Sequence, residues 1–349
     1  MTERPSSPEP TASSPNAKSV EATPVEATPV EATLVDAPLK EAAPVEAAPM
    51  DAVPGNLVDR APSFLQPYLR LMRADRPIGT WLLLIPCLWG ASLALATGGS
   101  SLLTFGYHAA LFAIGAFVMR GAGCAYNDIV DRDIDAQVER TALRPLPAGQ
   151  ISLWQAWAFL IVLCLIGLGV LIQFNQYTII LGIGSLALVA AYPFMKRITW
   201  WPQAWLGLTF NWGVLVGYAA ATGGLSAAAI LLYVAGVFWT LGYDTIYAHQ
   251  DREDDALIGV RSSARALGAH SAMGVAVFYA LTVSCFVVAG LISGFGSGFY
   301  LVLLAGGYHL FRQVARLDID DGAQCLALFK SNRDAGLILL AALLLASLF

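Results

Sequence analysis

The chain is 349 residues long, 57% hydrophobic and 13% charged. Its mean hydropathy of +0.62 excludes an ordinary soluble globular domain and points to a polytopic membrane protein. The formal net charge of -5 belongs to residues 1–60, where ten acids face Arg4, Lys18, Lys40 and Arg60, so the acidic balance says nothing about the partners of the membrane part.

Residues 1–60 are of low complexity. Val20-Glu-Ala-Thr-Pro24 recurs as Val25-Glu-Ala-Thr-Pro29 and then degrades. Proline at about every fifth position forbids a continuous helix, and there are no aromatics to build a core. A disordered, extended tail is expected, with a folded domain over 61–349. The tail lacks the apolar region of a secretory signal, and it is too acidic for an Arg-rich mitochondrial presequence. A bacterial inner membrane is therefore expected, with the mitochondrial inner membrane as the alternative.

Phe64 to Arg76 forms a short amphipathic lead-in carrying Arg70, Arg73 and Arg76, suited to the headgroup level of membrane lipid. Nine apolar spans follow, at 79–97, 102–124, 152–174, 177–195, 202–222, 225–247, 272–293, 295–312 and 334–349. Most reach the roughly 20 residues a bilayer needs. The eighth is interrupted by Gly306, Gly307 and His309, and the ninth is short. Connections after the first, third, fifth and seventh spans carry no Lys or Arg. Beyond residue 60 the bases lie before the first span or at the exits of the even-numbered ones. By the positive-inside rule the amino terminus is cytoplasmic and the carboxyl terminus lies outside. The expected fold is an all-α polytopic membrane protein, a nine-transmembrane-helix bundle.

The second span runs into Asn127-Asp-Ile-Val-Asp-Arg-Asp-Ile-Asp135. At about 100° per residue, Asp128, Asp131 and Asp135 share one helical face and Asp133 points away. The sixth span runs into Asp244-Thr-Ile-Tyr-Ala-His-Gln-Asp251-Arg-Glu-Asp-Asp255, where Asp244, Asp251 and Asp255 again share a face. Both clusters then lie on the cytoplasmic side. Carboxylates so crowded repel one another unless a cation sits between them, and hard oxygen donors suit Mg2+ together with substrate phosphates. The competing reading is a cation pathway, but that calls for acids at mid-depth, whereas these stand at helix ends.

Basic residues surround the acids: Arg132, Arg140 and Arg144, then Lys196 and Arg197, then Arg252, Arg261 and Arg265. Each alone reads as a topology signal or lipid contact; beside metal-binding acids they become candidates to hold a diphosphate. His108 and His309 read as packing residues. Asn211, an amide in mid-span, needs a partner, and a substrate is one possibility. The five scattered cysteines, with no C-x-x-C pair, argue against a disulfide framework or zinc site. No Walker loop, G-x-G-x-x-G or nucleic-acid motif occurs.

Asn127-Asp128-x-x-Asp131-x-x-x-Asp135 resembles the signature of the UbiA superfamily of intramembrane prenyltransferases. The stretches Asp75-Arg-Pro-Ile-Gly-Thr80, Arg140–Gly149, Tyr192-Pro-Phe-Met-Lys-Arg197, Gly207–Gly213, Gly259-Val-Arg-Ser-Ser263 and Phe329-Lys-Ser-Asn-Arg333 resemble the branch acting on 4-hydroxybenzoate in ubiquinone biosynthesis. The resemblance covers roughly residues 65–349. It implies a helical bundle around a central cavity with Asp-rich helix ends on the cytoplasmic side. It implies prenyl transfer from a polyprenyl diphosphate to the ring carbon ortho to the hydroxyl. Asp128, Asp131, Asp135, Asp251 and Asp255 would hold Mg2+ as the catalytic set, completed by Asn127 and Asp244. Arg132, Arg140, Lys196 and Arg197 would neutralise diphosphate or bind the aromatic carboxylate, with Asn211 and Tyr247 as further substrate contacts. A sister enzyme using homogentisate, a naphthoate, chlorophyllide or haem is the nearest alternative.

Overall fold

The computed structural model describes residues 55–56, 58–136, 139–250, 252 and 259–348. The expected tail lies almost wholly outside them, as do Asp251 and Asp255, and of Arg140 only the backbone is described. Among the described residues every regular element is helical. In chain order these are α1 (Gln66–Leu71), α2 (Ile78–Ala96), α3 (Leu102–Asp135), α4 (Glu139–Ala142), α5 (Leu153–Leu171), α6 (Gln176–Ile198) and α7 (Pro202–Thr222). They continue as α8 (Ala227–Ala248), α9 (Ser263–Leu267), α10 (Ser271–Ile292), α11 (Ser297–Ala315), α12 (Gly322–Lys330) and α13 (Asn332–Ala346).

Side-chain caps fix where several helices begin. Ser101, Ser152, Asn175 and Ser226 each accept the backbone N–H three residues on, and Gln155 completes a capping box with Ser152. Each expected span coincides with a helix. α2, α3, α5, α6, α8 and the stretch Ser263–Ile292 are long and apolar enough to cross a bilayer. α7 and α11 are diluted by Asn211 and by Gly306, Gly307 and His309, and α13 has only 15 residues.

The hydropathy-based end of the second span, near residue 124, is too early. α3 runs 34 residues to Asp135, about 51 Å against a hydrocarbon core of about 30 Å. Its final turns are therefore a helical extension, and the one-face spacing of its acids is realised. Asp128, Asp131 and Asp135 are buried, while the Asp133 side chain is 82% exposed.

α2 packs against α3, α7, α8 and α13. Its contact with α7 is close enough to need glycine. A Cβ on Gly217 would strike the Cys87 carbonyl oxygen, and one on Gly90 the Val214 carbonyl oxygen. The main core packs Trp89 against Trp239, tilted, and against the edge of Phe286, both at 5.0 Å between ring centroids. Trp89 Nε1 donates to the Gly336 carbonyl at 3.0 Å and so ties α2 to α13. A second core under α1 joins Leu71 and Met72 to Val118 and Ala122 of α3 and Leu160 and Leu163 of α5. Outward-facing Ile161 and Leu165 of α5, Ile180 of α6, and Leu301 and Leu304 of α11 are exposed, as lipid-facing side chains of a membrane protein would be.

Candidate functional site

A cavity of about 580 Å³ lies between α2, α3, α5, α6, α7 and α8. Its walls are apolar along most of their length, with Leu83, Phe112, Met119, Leu171, Ile183 and Phe210 among them. At the end where α3 emerges the lining becomes polar: Arg73, Arg76, Asn127, Asp128, Arg144, Asp244 and Tyr247. Phe112 and Asp128 lie 16 residues apart on α3, hence about 24 Å along the cavity.

Each carboxylate of the α3 row is held by bases. Arg73 Nη2 donates to both oxygens of Asp128, at 2.7 and 2.8 Å, and Arg144 Nη1 reaches Asp128 Oδ1 at 3.3 Å. Arg144 also pairs with Asp135 Oδ2 at 2.6 Å. Asp131 receives Lys196 Nζ at 2.5 Å on one oxygen and Arg197 Nη2 at 2.9 Å on the other. Asp131 and Asp128 are 0% and 1% exposed; buried charges of this kind persist only when paired and hydrogen-bonded. Burial by itself would lower the pKa of Arg73, yet the charge and hydrogen bonds of Asp128, with Asp75 and Asp135 behind, outweigh it and raise the pKa.

The geometry sorts the expected site residues. Asn127, Asp128, Asp244 and Tyr247 line the cavity, and Lys196 and Arg197 meet the acid row at Asp131. Two side chains go elsewhere. Arg132 turns with the helix to Asp133, at 2.9 Å, and stands 44% exposed. Asn211 is fully buried between α7 and α8, where Nδ2 donates to Gly207 O at 2.9 Å and Thr240 Oγ1 at 2.7 Å. It does not line the cavity; its polarity serves helix packing. Asp251, Asp255 and the Arg140 side chain lie outside what the structure describes.

Sequence reading misses two bases of the site. Arg73 is grouped with the interfacial lead-in, and Arg120, inside the second apolar span, is not singled out; Arg144, one of the bases expected beside a diphosphate, is in the site. Arg120 lines the cavity, and its Nε is buried with no hydrogen-bond partner. The signal for it was present: Arg120 precedes Asn127 by seven residues, two turns and about 10 Å along the same face.

The donor set fits magnesium. Three buried carboxylates on one face are hard oxygen ligands of the kind Mg2+ takes, in ones and twos, alongside waters and phosphate oxygens. Among the described residues no three acid, His or Cys groups lie close enough together to hold an ion.

Residues 83–346 match the UbiA prenyltransferase family. The chain belongs to that family. Among its UbiA relatives, 4-hydroxybenzoate polyprenyltransferase, mitochondrial, of Rattus norvegicus is 47% identical over 294 residues, 84% of this chain and 78% of the relative. Enzymes of the same name from Homo sapiens and Caenorhabditis elegans are 48% and 46% identical, across 78% and 82% of their own lengths. A UbiA homolog from Aeropyrum pernix K1, solved in the apo state, matches with a TM-score of 0.64 at 27% identity, covering 75% of this chain and 97% of that one. A UbiA homolog from Archaeoglobus fulgidus, bound to GPP and Mg2+, matches in fold with a TM-score of 0.60 at 19% identity, covering 81% and 100%.

Proposed function

We propose that this UbiA-family chain transfers a polyprenyl group from its diphosphate to the ring carbon ortho to the hydroxyl of 4-hydroxybenzoate, releasing diphosphate, in ubiquinone biosynthesis. The observation that carries the reading is the row Asp128, Asp131 and Asp135, each held by bases, at the polar end of a long apolar cavity. The names and identities of the curated relatives support the same reaction and acceptor.

Asp128, Asp131 and Asp135, together with Asp251 and Asp255, would hold Mg2+, which would supply positive charge to the oxygens of the leaving diphosphate. Arg73, Arg144, Lys196 and Arg197 carry fixed positive charge beside that place and can donate charge-assisted hydrogen bonds to phosphate oxygens. As the allylic C–O bond breaks, its electron pair leaves with the diphosphate. The apolar walls keep water from the carbon left electron-poor, and the isoprenoid chain follows them toward the lipid. A π pair of the ring, made electron-rich by the hydroxyl, forms the new C–C bond, and loss of the ring proton restores aromaticity. Arg120, two turns deeper than Asn127 and lacking a partner for Nε, is placed to receive the carboxylate of the acceptor. Asn127, Asp244 and Tyr247 line the same polar end and complete the substrate contacts.

α7, α11 and α13 are read as crossing the membrane with the six more apolar segments, giving nine crossings and a cytoplasmic site. The names of the relatives support the mitochondrial inner membrane, whereas the acidic tail favours a bacterial one. Import of the full chain into isolated mitochondria decides between them.

Product analysis by mass spectrometry in washed membranes tests the reaction, with farnesyl diphosphate as donor. Prenylated 4-hydroxybenzoate as the favoured product is expected. Preferential prenylation of homogentisate or a naphthoate would move the acceptor and keep the chemistry; no diphosphate release with any aromatic would overturn it.

A further inference from the structure

Arg261, just before α9, and Arg265, within it, are placed by sequence among the bases available to a diphosphate, yet they are engaged elsewhere. Both guanidinium groups lie over the Trp200 ring, at 5.7 and 5.4 Å from its centroid. Arg261 Nη1 donates to the Ile198 carbonyl at 2.6 Å, and its backbone N–H donates to the Lys196 carbonyl at 3.1 Å. Arg265 Nη1 donates to the Val260 carbonyl. On the inner side, Ser263 N–H donates to Gln203 Oε1 at 3.0 Å, and Ser263 Oγ shares a hydrogen bond with Thr245 Oγ1 at 2.7 Å. The segment is thereby fastened to the end of α6, the start of α7 and the last turn of α8.

α6 ends in Lys196 and Arg197, whose side chains occupy both oxygens of Asp131. Arg261 bonds to the chain on either side of those two bases, through its backbone N–H to the Lys196 carbonyl and through its guanidinium to the Ile198 carbonyl. Arginine suits this because a planar guanidinium can lie on an indole face while its edge donates to a carbonyl, which an ammonium does less well.

We infer that Arg261, clamped with Arg265 on Trp200, is a positioning residue for the diphosphate end of the site. It holds Lys196 and Arg197 in register with Asp131. It touches neither substrate. The inference rests on the transferase reading above, in which a metal-bound diphosphate spans both acid clusters. Small displacements of such a pair weaken the grip on the transferred group without disturbing the acceptor pocket around Arg120.

The test uses the purified full chain in nanodiscs, comparing wild type with Arg261→Ala, Arg261→Lys and Trp200→Leu. Two quantities are read: KM for each substrate, and equilibrium binding of farnesyl thiodiphosphate, a slow-reacting analogue, across a Mg2+ titration. Arg261→Ala is expected to weaken analogue binding and raise the prenyl diphosphate KM roughly tenfold, with the KM of the aromatic acceptor unchanged. Arg261→Lys should not restore it, and Trp200→Leu should shift the same quantities in the same direction. Wild-type analogue affinity in Arg261→Ala would overturn the inference. So would full recovery with Arg261→Lys, or an equal rise in both KM values. If wild type binds the analogue but prenylates no hydroxybenzoate, the acceptor assignment fails while the binding series still judges the clamp.

Discussion

At the scale of single residues, Arg120 and Asp131 carry opposite problems. Arg120 is a base in an apolar wall whose Nε has no hydrogen-bond partner, a costly arrangement unless a ligand supplies the anion. Arg120→Ala should raise the KM for 4-hydroxybenzoate by about tenfold or more and leave the prenyl diphosphate KM alone, as steady-state kinetics in nanodiscs would show. Asp131 is a buried acid shared by two bases. Asp131→Asn removes charge with little change of shape, and kcat/KM should fall by about a hundredfold or more while the protein remains folded in membranes. Normal turnover by that variant would contradict the role given to the row. The row itself was legible from helical periodicity, because Asp128, Asp131 and Asp135 repeat at three and four residues. Its counterions were not: Arg73 reaches Asp128 from a turn with φ of 59°, a backbone state that no spacing rule anticipates for arginine. Arg132, turned by the helix about 100° away from Asp131, pairs with Asp133 instead.

At the scale of helices, the site depends on α2 and α7 meeting at backbone distance, since both line the cavity. Gly217→Val should destabilise the protein by about 1–3 kcal/mol through overpacking, seen as a lower unfolding midpoint in detergent. An unchanged midpoint would mean the helices can separate freely. Helix positions were largely readable, since hydropathy marks where a chain enters lipid. Where α3 ends was not. Hydropathy falls as Asn127 and Asp128 arrive, but the backbone stays helical to Asp135 because loss of apolarity does not break a helix. That extension lifts the acids beyond the apolar part of α3 and presents them as one face. The use of Asn211 was equally hidden, since sequence shows a polar residue in mid-span and only packing shows that Thr240 and Gly207 satisfy its Nδ2 donors.

At the scale of the whole molecule, an apolar exterior, an apolar cavity and a charged rim make one device for handling an amphiphile. The fold class and one-sided clustering of charge were legible because bilayer crossing constrains composition and loop charge so strongly. The cavity was not, because which apolar faces meet and which stay apart depends on packing among helices of similar composition. In the proposed reaction the acid row and its bases act together on a metal-bound diphosphate. Equilibrium binding of farnesyl thiodiphosphate to the purified full chain, with Mg2+ or with EDTA, for wild type and Asp131→Asn, tests that most directly. Binding by wild type that requires Mg2+ and is lost in Asp131→Asn is the predicted result. Equal binding in EDTA, or binding that survives Asp131→Asn, would contradict it.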